Sequence, residues 1–359
     1  MSLNLTLNNR ELSLKDLQGV AAATPFEAEL FSFVREWFGD GDRFVFQTSG
    51  STGEPAKISF ARAQLEASAM RSVEAFALRE GDTALVCLDP RYVAGRMMLV
   101  RAIVNKMKII AVEPSSNPLA GVADNVDLIA VVPLQLKTML EAGLADRLNR
   151  VRTILIGGAP VSPALRRRII EDLNENVYLT YGMTETLTHV AIERITGEDA
   201  AFAALPGVAI ELDERGCIVI ASDITGKIVT NDLGELLSEG VFRWLGRYDN
   251  IINSGGIKLI PEVIEGRIAP VLARLNIHNS FFIAGVPHDR LGSAVALFVE
   301  GALAEESRNL LEEALRNALE RYEKPAAIHY LPTFVYTENG KINRIQSIRR
   351  HGQYRIENS

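Results

Sequence analysis

In the N-terminal half of the chain, short runs of apolar and β-branched residues alternate with longer stretches whose apolar positions recur at helical spacing. The runs predict strands over 44–47, 84–88, 108–112, 128–132, 153–156 and 177–180. Between them, residues 60–78 carry Leu65, Ala69, Val73 and Phe76 as one stripe, which predicts a helix. Residues 134–142 and 162–174 read the same way, and Ser162-Pro163 is a helix cap followed by proline at the first helical position. Strands that are apolar throughout and separated by helices predict a mostly parallel sheet covered on both faces.

The texture changes after about residue 205. VAIELD, CIVIAS and KIVTND are short strands separated by turn residues such as Asp213-Glu214-Arg215-Gly216, which predicts an antiparallel or mixed β subdomain. Residues 246–261 are rich in Gly and Asn. A different pattern follows: helix 262–274, strands 281–285 and 294–300, helix 303–321 and strand 327–331. The expected fold class is therefore α/β. Residues 1–248 form a large N-terminal domain of mostly parallel sheet flanked by helices plus the β subdomain. Residues 249–359 form a small α+β domain.

Composition narrows the function. The chain has 359 residues, 47% of them apolar, and a net charge of −7, which argues against a polybasic nucleic-acid or membrane-surface protein. Cys87 and Cys217 each sit in an apolar stretch and read as buried free thiols in a reducing compartment. The N-terminus lacks a charged segment followed by an apolar core, and no apolar run approaches the roughly 18 residues that span a bilayer. A soluble, cytoplasmic protein is expected.

Candidate chemistry begins with Thr48-Ser49-Gly50-Ser51-Thr52-Gly53-Glu54-Pro55-Ala56-Lys57, directly after the strand RFVFQ. Glycines let the backbone approach a ligand, hydroxyls and N–H groups bind phosphate oxygens, and lysine adds charge. The spacing is not that of the common nucleotide loop G-x-x-x-x-G-K-[ST]. Taken alone, the segment is equally a polar turn.

Together with Tyr181-Gly182-Met183-Thr184-Glu185-Thr186, this loop resembles the adenylate-forming superfamily of acyl- and aryl-CoA synthetases, luciferases and peptide-synthetase adenylation domains. Further segments match in order. Gly157-Gly158-Ala159-Pro160 resembles the adenine-side loop, and Thr230-Asn231-Asp232 the T-G-D segment. Gly246-Arg247-Tyr248-Asp249-Asn250 resembles the hinge, and Asn339-Gly340-Lys341-Ile342-Asn343-Arg344 the C-terminal lysine motif.

The resemblance implies ATP, Mg²⁺ and CoA as cofactor and co-substrates, and a carboxylic acid as substrate. It places residues 48–53 and Lys57 on the pyrophosphate, Tyr181, with Gly182 and Met183 beside it, on adenine, and Thr184 on phosphate. Glu185 would hold the metal, Asp232 and Arg247 the ribose, and Asp249 the pivot of a mobile C-terminal domain. Lys341 would bridge carboxylate and α-phosphate. Read without the resemblance, Glu185 is a charge opening a helix and Lys341 an exposed lysine after an Asn-Gly hairpin turn.

Three features depart from the family pattern. Ala56 stands where the loop lysine normally follows proline, so Lys57 either compensates or the charge is missing. Asn231 replaces a glycine. Only 47 residues precede the loop, whereas family members usually run longer. Residues 90–102 and 186–191 resemble the o-succinylbenzoate–CoA ligase branch, which acts in menaquinone biosynthesis. Its substrate keeps a second carboxylate to be recognised, with Arg96, Arg101 and His189 as candidate donors; each is otherwise a packing or surface residue. Another aryl- or acyl-CoA ligase, or a nucleotide-binding relative without catalysis, stays open. A homodimer is the family-weighted expectation.

Overall fold

The computed structural model describes residues 4–8, 10–13, 17, 19–47, 56–197, 200–337 and 341–352. The chain opens with a hairpin, β1 (Asn4–Leu7) and β2 (Arg10–Ser13), then helix α1 (Pro25–Phe38). A second hairpin, β3 (Arg43–Gln47) and β4 (Lys57–Ala61), leads into α2 (Arg62–Ala75), β5 (Thr83–Val86), α3 (Val93–Val104) and β6 (Lys108–Ala111). Next come β7 (Leu128–Val131), α4 (Pro133–Glu141), α5 (Ala145–Leu148), β8 (Thr153–Ile156), α6 (Pro163–Asp172) and β9 (Val177–Gly182).

Strands β9, β8, β7, β5, β6 and β1 lie side by side and parallel. Alternate residues of these strands feed two separate cores. Ala84, Val86, Ile109, Ala111, Leu128 and Leu155 pack with α1, α2 and α3 on one face. Leu85, Ile110, Ile129, Val131, Ile154 and Ile156 pack with α4 and α6 on the other. A sheet buried on both faces has no polar side, which is why its strands read as continuous apolar runs. The expected cap of α6 is present: the Ser162 hydroxyl accepts from Leu165 N at 3.2 Å, and Pro163 opens the helix.

The antiparallel part is not a separate sheet. After β9 the chain reverses into β10 (His189–Arg194), and β11 (Phe202–Ala204), β12 (Val208–Leu212), β13 (Cys217–Ser222), β14 (Gly226–Ser238) and β15 (Val241–Arg247) follow. With β2 on the far edge, they make one sheet of thirteen strands among the described residues. The switch from parallel to antiparallel falls at the Tyr181–His189 turn.

Two local expectations are corrected. The strand expected over 44–47 does not join the parallel sheet; β3 pairs antiparallel with β4 in a sheet of its own. Phe44 and Phe46 are buried while Val45 is exposed, so this strand buries one face only. Residues 57–61 are strand, so α2 starts at Arg62 rather than near residue 60.

The remaining elements are β16 (Ile252–Ser254), β17 (Ile257–Leu259), α7 (Pro261–Arg274), β18 (Phe281–His288), β19 (Gly292–Glu300), α8 (Glu305–Ala318), β20 (Ala327–Leu331) and α9 (Arg344–Arg350). Strands β16 to β20 make a second sheet, and its core includes Ile264, Ile268 and Leu272 of α7 and Leu311 and Leu315 of α8. Helix α7 also packs against α6 and β15 of the first part. Among the described residues no helix is long and apolar enough to cross a membrane.

Candidate active site

The C-terminal ends of β8 and β9 bring two motif segments together. Such ends are where open parallel sheets bind ligands, because the connecting loops leave a crevice there. Gly157–Pro160 leave β8, with Gly158 at φ +83°. Gly157 lies so close to β9 that a Cβ would come 2.8 Å from Thr180 Oγ1. At the end of β9, Thr184–Thr186 form a single 3₁₀ turn pinned by Thr186, whose hydroxyl contacts Met183 O at 3.0 Å and Thr188 O at 2.7 Å. Leu187 follows, fully buried with φ +64°, a conformation a branched residue holds only where its surroundings over-determine it.

Gly182 fits under this turn because it lacks a side chain. A Cβ there would overlap the Thr188 carbonyl and sit 2.6 Å from His189 Cα. Gly182→Ala is therefore expected to force β9 and β10 apart and lower stability by about 1–3 kcal/mol in denaturant unfolding. An unchanged midpoint would show that the turn adapts.

A polar network joins this edge to the antiparallel arm. The Tyr181 ring is buried against Phe202 and Phe242, at centroid distances of 5.7 and 5.2 Å. Its hydroxyl donates to Asp232 Oδ2 at 2.9 Å. Burial, and next the Asp232 charge, push the phenol far above its ordinary pKa, so it stays a donor. Asp232 on β14 faces Arg247 on β15, and Arg247 Nη1 reaches Asp232 Oδ1 at 3.3 Å. Arg247 Nη2 donates to Asp249 Oδ2 at 2.8 Å. Burial opposes the Arg247 charge, but the carboxylates outweigh it and raise its pKa.

Lys341 belongs to the same neighbourhood. Tyr336 bridges its neighbour Ile342, and Lys341 O accepts from Thr337 N at 2.8 Å. Desolvation lowers its pKa, opposed by Asp232 and helped by Arg247, so the ammonium lies within the field of both. Glu185 is half-buried in the 3₁₀ turn and makes no hydrogen bond or ion pair among the described residues. Such a carboxylate suits Mg²⁺, which usually takes one or two protein carboxylates and completes its shell with phosphate oxygens and water.

Thr48, Ser49, Gly50, Ser51, Thr52 and Gly53 lie outside the described residues. Gln47 and Lys57 on either side are register partners of β3 and β4, and Lys57 is exposed.

The three candidate acid-site donors part company. Arg96 Nε donates to Pro90 O at 2.7 Å and Nη1 to Val45 O at 2.8 Å, with the guanidinium over the Phe33 and Phe46 rings. It braces β3. Arg101 is 2% exposed, and among the described residues no carboxylate pairs with it. Its Nη2 donates to Thr188 Oγ1 at 2.5 Å, and its Nε has no partner there. Burial pulls its pKa to about 10, so it stays charged at neutral pH. His189 is buried beside it, Nδ1 at 3.3 Å from Thr188 Oγ1 and Nε2 at 3.0 Å from Ser72 Oγ. The sequence reading passed over Ser72 and took Thr188 only as part of a motif. Nothing local marks two hydroxyls as one site.

The family model for AMP-binding enzymes matches residues 40–242, more than half of the chain. The chain belongs to the AMP-binding enzyme family. It is an adenylate-forming ligase by kinship, with ATP, Mg²⁺ and CoA as the expected set. A solved structure from Dyadobacter fermentans, described as an acyl-CoA synthetase (AMP-forming)/AMP-acid ligase II-like protein, is 39% identical. That match covers 94% of this chain and 97% of the other, with a TM-score of 0.61. A 2-succinylbenzoate–CoA ligase of Lactococcus lactis is 27% identical over 84% of this chain and 69% of its own length. The o-succinylbenzoate CoA synthetase of Bacillus subtilis, solved with ATP and magnesium, shares the fold at a TM-score of 0.71 and 22% identity, over 84% and 69% of the two chains.

Proposed function

We propose that this family member is an acid–CoA ligase whose acid keeps a second carboxylate, with o-succinylbenzoate, the menaquinone precursor, as the best match. The observation that carries the reading is Arg101. A buried guanidinium without an acidic partner costs several kcal/mol on folding. A substrate carboxylate arriving beside it would complete the pair, and its Nε is still open to donate. The curated relative named as a 2-succinylbenzoate ligase supports the same choice.

In this reading the acid carboxylate attacks the α-phosphorus of ATP and pyrophosphate leaves. The CoA thiol then attacks the acyl carbon and AMP leaves. Residues 48–53, with Lys57 at the loop base, hold the pyrophosphate, and Gly157–Pro160 with Tyr181, Gly182 and Met183 frame adenine. Asp232, held by Tyr181 and Arg247, accepts from the ribose hydroxyls. Thr184 contacts phosphate, and Lys341 neutralises charge that builds between carboxylate and phosphate. Glu185 would hold Mg²⁺, which neutralises phosphate charge when bound. The segment 249–359 is the mobile part in this scheme, with Asp249 at the pivot.

ATP–pyrophosphate exchange over a panel of acids tests the reading. Exchange with o-succinylbenzoate well above benzoate is expected, and Arg101→Leu should raise the KM for o-succinylbenzoate by about 10². Preference for benzoate would favour another aryl-acid ligase. No exchange with any acid would favour a binding-only relative.

A further inference from the structure

We propose that His189 does not touch the acid but fixes the aim of Arg101, acting through Thr188 with Ser72 behind it. This rests on the reading of Arg101 as receiver of the second carboxylate. The argument is one of proton placement. A guanidinium only donates, so Thr188 Oγ1 is the acceptor at 2.5 Å from Arg101 Nη2. The single hydroxyl proton of Thr188 is left to donate, and His189 Nδ1 stands 3.3 Å away. The Ser72 hydroxyl proton is committed to a main-chain carbonyl, so Ser72 Oγ is left to accept, a neutral imidazole carries its proton on Nε2, and Nδ1 is bare. Nε2 donates to Ser72 Oγ at 3.0 Å, and Ser72 passes its own proton to Ser68 O at 3.2 Å.

Each proton has one destination, and the chain runs one way, from Arg101 to the main chain of α2. Its direction is set at both ends, because arginine accepts nothing and the Ser68 carbonyl donates nothing. A protonated His189 would reverse the bond to Thr188 and place a second cation against Arg101 and near Arg71. Burial first, then those two arginines, hold its pKa well below the ordinary range. The Phe76 ring packs edge-on to the imidazole at 5.6 Å and fixes its plane.

The consequence is directional. α2 supplies Ser72, and Phe76 follows its last turn; α3 supplies Arg101, the β9–β10 turn supplies Thr188, and β10 opens on His189. With Nη2 committed to Thr188, the rest of the Arg101 fork is presented in one orientation. Thr188, His189 and Ser72 are thus positioning residues, and their effect belongs in the affinity for an acid with two carboxylates.

The test uses the full-length enzyme and ATP–pyrophosphate exchange with o-succinylbenzoate or benzoate. Thr188→Val removes the hydroxyl but keeps the shape, and is expected to raise the KM for o-succinylbenzoate about tenfold with little change in kcat or the KM for ATP. Thr188→Ser restores the link and the KM. His189→Asn, which keeps an acceptor near Nδ1, should outperform His189→Leu. Where leucine does not fold, the Thr188 pair decides.

If Arg101→Leu raises the KM and Thr188→Val does not, the relay is overturned and the substrate reading stands. If Arg101→Leu leaves it unchanged, the substrate reading falls and takes the relay with it. Equal losses in the Val and Ser variants, or losses that fall on ATP, mean a structural role and overturn the proposal.

Discussion

Lys341→Ala is expected to slow acyl-adenylate formation by about 10²–10³, roughly 2.7–4 kcal/mol of transition-state stabilisation. Thioester formation from supplied acyl-adenylate should stay nearly intact. The asymmetry follows from position. Lys341 sits beside the bridge between Tyr336 and Ile342, and Arg344 ties this segment to α7 through Glu262 at 3.1 Å and Glu265 at 3.0 Å. From there its ammonium feels both Asp232 and Arg247. A charge held there can offset the negative charge that redistributes as a carboxylate attacks phosphorus. It has no comparable duty when a thiol attacks an acyl carbon. Single-turnover measurements of each half-reaction give the answer, and equal damage to both would remove Lys341 from the role.

Asp249→Pro should do the opposite, sparing adenylation and reducing CoA transfer at least tenfold, about 1.4 kcal/mol in barrier. In the proposed scheme one site serves ATP first and CoA second, which requires Lys341 to leave between the two steps. The turn Tyr248–Asn250 lies between the two sheets. Asp249 is held there by Arg247 at 2.8 Å and by Asn231 Nδ2 at 3.3 Å, while Arg215 stacks over Tyr248 at 5.1 Å. Proline fixes φ near −65° and restricts the preceding residue, so the turn loses its freedom to swing. The Lys341 ammonium feels the Asp232 charge in this arrangement, so under the proposed scheme the trapped form is expected to be the one that adenylates. Asp249→Ala separates loss of the carboxylate from loss of the pivot. Wild-type rates in both half-reactions of the proline variant would put the pivot elsewhere.

The strands of the parallel block were legible because burial on both faces leaves continuous apolar runs, as at Thr153–Ile156. The α6 cap was legible because Ser162 and Pro163 act on their own helix. Tyr181 to Glu185 stay together in space because they are contiguous at the end of β9 and in the turn after it. The β3–β4 hairpin was misplaced because an apolar run does not name its partner strand. Tertiary structure decided the rest. Arg101 and Thr188 are 87 positions apart and Ser72 and His189 are 117 apart, so no local pattern joins them. Arg96 and Arg101 looked equivalent on one helix. Five residues apart, they point roughly 140° from each other around its axis. One is thereby spent on the main chain of β3, and the other is left buried beside the β9–β10 turn, its Nε without a partner among the described residues.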